Sequence, residues 1–271
     1  MKNLLIFIMF LSLHSFSFGQ DMADSKQMIS KESKKEDETN IKTKEEGSED
    51  DQTKEEPKKG SIAVNFLTNS FAGFHPAIFG NFPLKSGRPL TFYAVYWTNP
   101  AFGNTDTGTD FWFEHGVGTV FKAFNNNLII NPSLGFSHGK LLSGSEGGVV
   151  GDGIIPSVFL LHDSERFNVQ FYLAYYKSLR SGGVSKDFVF NWVNPSVKLS
   201  KFFSVGLYYE QFVNTRDGDT GNSATSINQW VGGSVRFSTR GGHSLMIALG
   251  KNFSDVGAGE FHKISAFMPI H

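Results

Sequence analysis

The feature that most constrains this chain is a two-residue rhythm in which one face of each segment is bulky and oily and the other is small or polar. In 110–124, Phe111, Phe113, Val117, Phe121 and Ala123 alternate with Glu114, Gly116, Gly118 and Lys122. In 167–179, Phe167, Val169, Phe171, Leu173 and Tyr175 oppose Asn168, Gln170, Ala174 and Ser178. In 203–213, Phe203, Val205, Leu207 and Tyr209 oppose Ser204, Gly206, Tyr208 and Glu210, and in 243–250 Leu245, Ile247 and Leu249 oppose Ser244, Ala248 and Gly250. Successive side chains of a strand point to opposite faces, so this period reads as strand. After residue 60 no 3.6-residue apolar period competes with it.

The two faces also say what each must touch. The slim face is too small and polar to build a second dry core, and the other is strongly apolar and aromatic. That combination suits a sheet whose oily side meets lipid and whose other side lines a lumen. A soluble sandwich sends more Lys and Glu to its polar face. A lipocalin-like soluble barrel is the competing architecture, because alternation alone does not say which face meets lipid.

Strands are expected near 89–98, 110–123, 127–138, 154–161, 167–179, 187–199, 202–213, 226–238, 243–251 and 260–270. Their connections alternate between long and short: NNN, HDSER, SK and TRGG on one side, longer stretches such as 139–153 and 214–225 on the other. Outer-membrane barrels put short turns at the periplasm and long loops outside, which places both ends of the strand array on the periplasmic side. Before Pro89, 61–69 and 72–82 form a first hairpin and bring the count to twelve. Alternatively GFHPAIFGNF is a plug and ten strands remain. Twelve keeps the up-and-down order and leaves no open edge in lipid. The expected fold is an all-β, antiparallel up-and-down transmembrane β-barrel over 61–271.

The N-terminal region differs in kind. Lys2, the apolar run from Leu4 to Leu13, and small residues Ser17 and Gly19 before Gln20 read as a cleaved export signal over 1–19. Residues 20–60 are dominated by Lys, Asp and Glu, too poor in apolar surface to offset ordering entropy, and read as a disordered linker. With no cysteine, neither a lipid-bearing cysteine nor a disulfide is available. The remainder is close to neutral and poor in charge, which argues against nucleic acid as a partner.

Five residues on the slim faces are candidates to line the lumen and meet solute: Glu114, Lys122, Tyr208, Glu210 and Arg236. Trp97, Trp112, Tyr175, Trp192, Tyr209 and Trp230 are expected at the membrane interfaces, where amphipathic rings collect. His138 shares its parity with Leu128, Ile130, Leu134 and Phe136, and so faces outward near the outer boundary, followed by Lys140. NTRDGDTGN (214–222) has acidic and glycine content without the spacing of a calcium loop, and reads as a mobile outer loop. The scattered histidines give no metal-ligand spacing, and nothing calls for a cofactor.

The segments LTFYAVYWTNPAFG, NPSLGFSHGKLLSG, VVGDGIIPS, YLAYYKSLR and VGLYYEQFVNTR resemble a family of uncharacterised bacterial proteins taken to be outer-membrane or exported β-barrels. The resemblance covers most of 61–271 and excludes the charged segment. It implies fold and compartment, and it transfers no functional residue. Together these readings point to a non-enzymatic barrel in the outer membrane, in contact with its lipid and serving as a narrow passive channel or binding barrel for a small polar solute. If the lumen charges pair with one another, the barrel is closed and structural or adhesive. A third reading is a lipid hydrolase that casts His138 with Ser143 or Ser145 and Glu114 or Glu146, although HGK lacks a His-x-Ser pair.

Overall fold

The computed structural model describes residues 60–85, 87–97, 112–143, 149–180, 185–217, 225–254 and 259–270. The export signal and the charged segment expected over 1–60 lie, Gly60 apart, outside them. The chain divides into Met1–Glu55 and Glu56–His271, and every described residue belongs to the second unit.

Strands follow one another as β1 (Ser61–Asn69), β2 (Gly73–Phe74), β3 (Ala77–Phe82), β4 (Leu90–Trp97), β5 (Trp112–Thr119), β6 (Phe121–Ala123) and β7 (Leu128–Gly139). They continue as β8 (Val149–Asp163), β9 (Phe167–Ser178), β10 (Lys186–Lys198), β11 (Phe203–Asp217), β12 (Thr225–Ser238), β13 (Ser244–Asn252) and β14 (Gly259–Ile270). Neighbours in sequence pair antiparallel, and β14 returns to β1 from Ile62↔Ile270 to Asn69↔Lys263, so the sheet closes. Closure satisfies every edge, the condition for backbone in hydrocarbon.

Of these fourteen strands, β2 is a two-residue addition to β1, and β6 carries on from β5 in one register, Gly118↔Ser133 then Phe121↔Ile130. Twelve strands therefore cross the barrel, as the hairpin reading of 61–82 requires. The NNN turn closes with Phe124, Asn125 and Asn126 all at positive φ (51°, 55° and 67°), where Asn is tolerated better than most residues.

Two strands run further than the sequence pattern suggests. β8 starts at Val149 because the Asp152 carboxylate accepts from the backbone of Leu142 (2.7 Å) and Ser143 (3.0 Å), folding the segment after β7 back against the strand. β11 reaches Asp217 because Lys186 and Asp187 of β10 pair with Asp217 and Arg216. Residues 214–217 of the expected mobile loop are thus strand, and 218–222 lie outside the described residues.

The oily faces point outward as the alternation demands. Leu207 and Leu249 stay 62 % exposed and Val117 56 %, so the outer wall is a band of bare aliphatic and aromatic side chains. The interface assignment of the aromatics needs correction. Tyr175 and Tyr209 do face outward, but Trp97, Trp112 and Trp230 are buried inside the barrel, and Trp192 packs beside them. Parity decides it: Trp112 shares the inward face of Glu114, and Trp230 pairs with Glu210.

Candidate lumen site

The half of the interior next to the longer loops is lined by packed rings. The β1–β3 connection folds inward, held by the Asn69 side chain, whose Oδ1 accepts from the backbone of Phe71 (2.9 Å) and Ala72 (2.5 Å). His75 in this connection stacks on Trp97 (centroids 4.7 Å apart), and Trp97 stacks on Trp112 (4.8 Å). Trp112 meets Tyr176 edge-on at 5.6 Å, and Tyr176 meets Phe212 at 6.2 Å. Phe71 bridges Phe212 and Trp230, and Trp230 stacks on Phe261 at 4.7 Å. The chain of contacts runs from β4 across the lumen to β14.

Below the rings lies a polar layer. Glu114 is 2 % exposed, and its Oε2 accepts from the Tyr176 hydroxyl at 3.0 Å. Glu210, 1 % exposed, is bound at Oε2 by Lys263 Nζ (2.6 Å) and by the Tyr208 hydroxyl, while Lys263 also donates to Tyr208 (2.6 Å). This buried ion pair satisfies the condition on charges taken out of water, namely a close partner and further hydrogen bonds. Tyr93 has room to reach inward because Gly116 and Gly135 face it: a methyl group at Gly135 would stand 2.1 Å from the tyrosine oxygen.

The half nearest the short turns is built differently. Arg236 Nη2 donates to Gln170 Oε1 and Asn194 Oδ1, both at 2.9 Å, and touches the Met246 sulfur at 3.6 Å. Around it the inward positions include Thr91, Asn131, Ser196 and Ser204 together with Phe159 and Leu161. Phe79, inward on β3 two residues from buried Ala77, keeps 37 % of its surface open, so solvent enters this half. Lys122 shares the inward parity of its partner Ile129, yet it stands exposed at the mouth.

Of the five residues expected from sequence, Tyr208 and Glu210 therefore form one cluster, Glu114 and Arg236 sit separately, and Lys122 touches none of them. Sequence reasoning missed Lys263, Tyr176 and Asn194. Lys263 was reachable: Ile264, Ala266 and Met268 set the outward parity of β14, which turns Phe261, Lys263 and Ser265 inward.

His138 sits on the outer wall as expected. Gly151 N–H donates to its Nδ1 (2.9 Å), which leaves the proton on Nε2 for His115 Nδ1 at 3.2 Å; the two rings are nearly parallel and stacked, centroids 5.0 Å apart. Both ring nitrogens are thereby occupied. Ser143 is buried with its backbone held by Asp152, and Ser145 and Glu146 lie outside the described residues.

A family model described as "Family of unknown function (DUF6733)" matches residues 41–270. The chain belongs to this family. The DUF6733 match takes in all of the described barrel and the end of the charged segment. No curated protein matches the chain. Among solved structures, it is similar to the KdgM porin in complex with disordered oligogalacturonate, at 10 % identity over 78 % of this chain and 98 % of that one, with a TM-score of 0.44. It is similar to the NanC porin at 10 % identity over 76 % and 98 %, TM-score 0.48, and to LpxR from Salmonella typhimurium at 11 % over 77 % and 99 %, TM-score 0.41. At these identities no residue of the DUF6733 chain's interior is matched to one of theirs.

Proposed function

We propose that this chain is an outer-membrane β-barrel, delivered by a cleaved export signal, that serves as a narrow passive channel or binding barrel for a small polar solute and rests with its outer end shut. The reading assigns no chemical step to any residue. Supporting the membrane placement are the closed edge, the bare oily wall and the division between short turns and longer loops.

The observation that carries the reading is the division of the interior: rings dominate the outer half, while the periplasmic half carries more polar side chains and is reached by solvent at Phe79. Such a barrel admits solute from one side and conducts only when the ring layer parts. The layer hinges on the 70–76 connection, which contributes Phe71 and His75.

Planar bilayers test this. Wild-type protein is expected to stay closed most of the time, and Phe71→Ala combined with Trp97→Ala to show discrete openings far more often. Silence from both would turn the reading into that of a closed structural or adhesive barrel.

A further inference from the structure

Among the described residues, Glu210 and Lys198 have counter-ions, whereas the buried Glu114 and Arg236 have neutral partners only. Glu210 has Lys263, Lys198 at the periplasmic end has Asp163 (2.7 Å), and Glu114 has the Tyr176 hydroxyl. Arg236 has amide oxygens and a thioether, all of them on Nη2. Its Nε is buried without a partner, and among the described residues no carboxylate forms an ion pair with it. The carboxylate whose field reaches it, Asp163, is already held by Lys198 and by Asn168 (2.8 Å).

A guanidinium taken largely out of water with no counter-ion is costly to keep, and breaking such a charge away from its partner is among the most damaging changes a core can suffer. Here the group is also held in place. Asn194 donates to Leu207 O (2.7 Å) and Ser234 Oγ (2.8 Å), which fixes its amide so that Oδ1 faces the arginine. Gln170 holds the same Nη2 from a second strand. What remains are Nε, closed off from solvent, and Nη1, which has no acceptor among the described residues and is not closed off, in the half of the lumen that solvent enters past Phe79. Lys122 stands at that mouth on the same inward face.

We infer that the periplasmic half of the lumen binds a small oxyanion, a carboxylate or phosphate, on the free donors of Arg236. The inference rests on the solute reading above and gives that solute its charge. An oxyanion supplies the acceptor that the accessible Nη1 lacks and a negative charge beside the guanidinium; a cation is repelled, and a neutral polyol satisfies only hydrogen bonds.

The test uses the full chain folded in detergent and inorganic phosphate as the probe. Isothermal titration at low salt should give saturable binding that Arg236→Gln weakens by roughly tenfold or more, the loss expected for hydrogen bonds to a charged group. Arg236→Lys should fall between the two, because it keeps the charge and loses the fork. No saturable binding in wild type, or equal binding by Arg236→Gln, overturns the site.

A second measurement on unaltered protein guards against a variant that fails to fold. Phosphate should slow the reaction of Arg236 with phenylglyoxal, read by peptide mass; unchanged reaction, or an Arg236 that never reacts, also overturns it. Protein that binds phosphate through Arg236 but never conducts keeps the site and loses the channel. Protein that conducts with no dependence on Arg236 does the reverse.

Discussion

His75 shows at the scale of one residue what the ring layer costs. It is 3 % exposed, flat against Trp97, and its Nδ1 bonds the Gly73 carbonyl at 2.8 Å. Burial, helped by the charge of Lys263 and opposed by the Gly73 carbonyl, holds the imidazole from its ordinary 6.5 down to about 3. Between those values the unfolded chain carries a proton that the folded one refuses, so stability is complete above the unfolded value and drains away as pH falls, by about 1.4 kcal/mol per unit. Guanidinium midpoints of the detergent-folded protein should therefore drop more steeply from pH 7 to pH 4 than those of His75→Phe, which keeps a ring on Trp97 and cannot titrate. Parallel slopes would show that His75 does not carry the acid sensitivity. Nothing in GFHP announces this: the histidine precedes a proline in a short connection, and only the inward fold of 70–76 buries it.

At the scale of the strand, alternation was legible and its ends were not. Faces read from Phe203, Val205 and Leu207 against Ser204, Gly206 and Tyr208 hold throughout, because a period of two fixes every side chain once one is fixed. The extensions of β8 and β11 depend on Asp152 and Asp187, carboxylates whose backbone and side-chain partners come from other segments and leave no local pattern. The tryptophans fall inside for a related reason: the parity that Glu114 and Glu210 set outweighs the preference of such rings for interfaces. Inward glycines are legible as small positions, but what they admit is not. Gly232 and Gly250 pair directly, and a methyl group at Gly232 would stand 2.0 Å from the Leu249 carbonyl oxygen and 2.6 Å from the Gly250 Cα. Gly232→Val should destabilise the barrel by about 1–3 kcal/mol through overpacking, read as a lowered unfolding midpoint, whereas Gly233→Val, on the open outer face, should leave it nearly unchanged. Equal midpoints for the two variants would mean that the Gly232–Gly250 contact relaxes freely.

At the scale of the barrel, twelve strands enclose a lumen narrow enough for side chains to close one half of it. The candidate site was legible only in part. Glu210 and Arg236 were found by parity, but their opposite situations, one neutralised by Lys263 and the other without a carboxylate, depend on which residues meet across the lumen from strands far apart in sequence. Everything here follows from the oily face of each strand meeting hydrocarbon and the slim face meeting the lumen. Because the chain has no cysteine, spin labels can be placed one at a time on single cysteines without a background. In protein reconstituted into lipid bilayers, labels at Leu134, Leu207 and Leu249 should collide readily with dissolved oxygen and hardly at all with a water-soluble nickel chelate. Labels at Ser133 and Ser204 should show the opposite preference. Leucine-site labels that meet the nickel chelate, with serine-site labels shielded from it, would contradict the account.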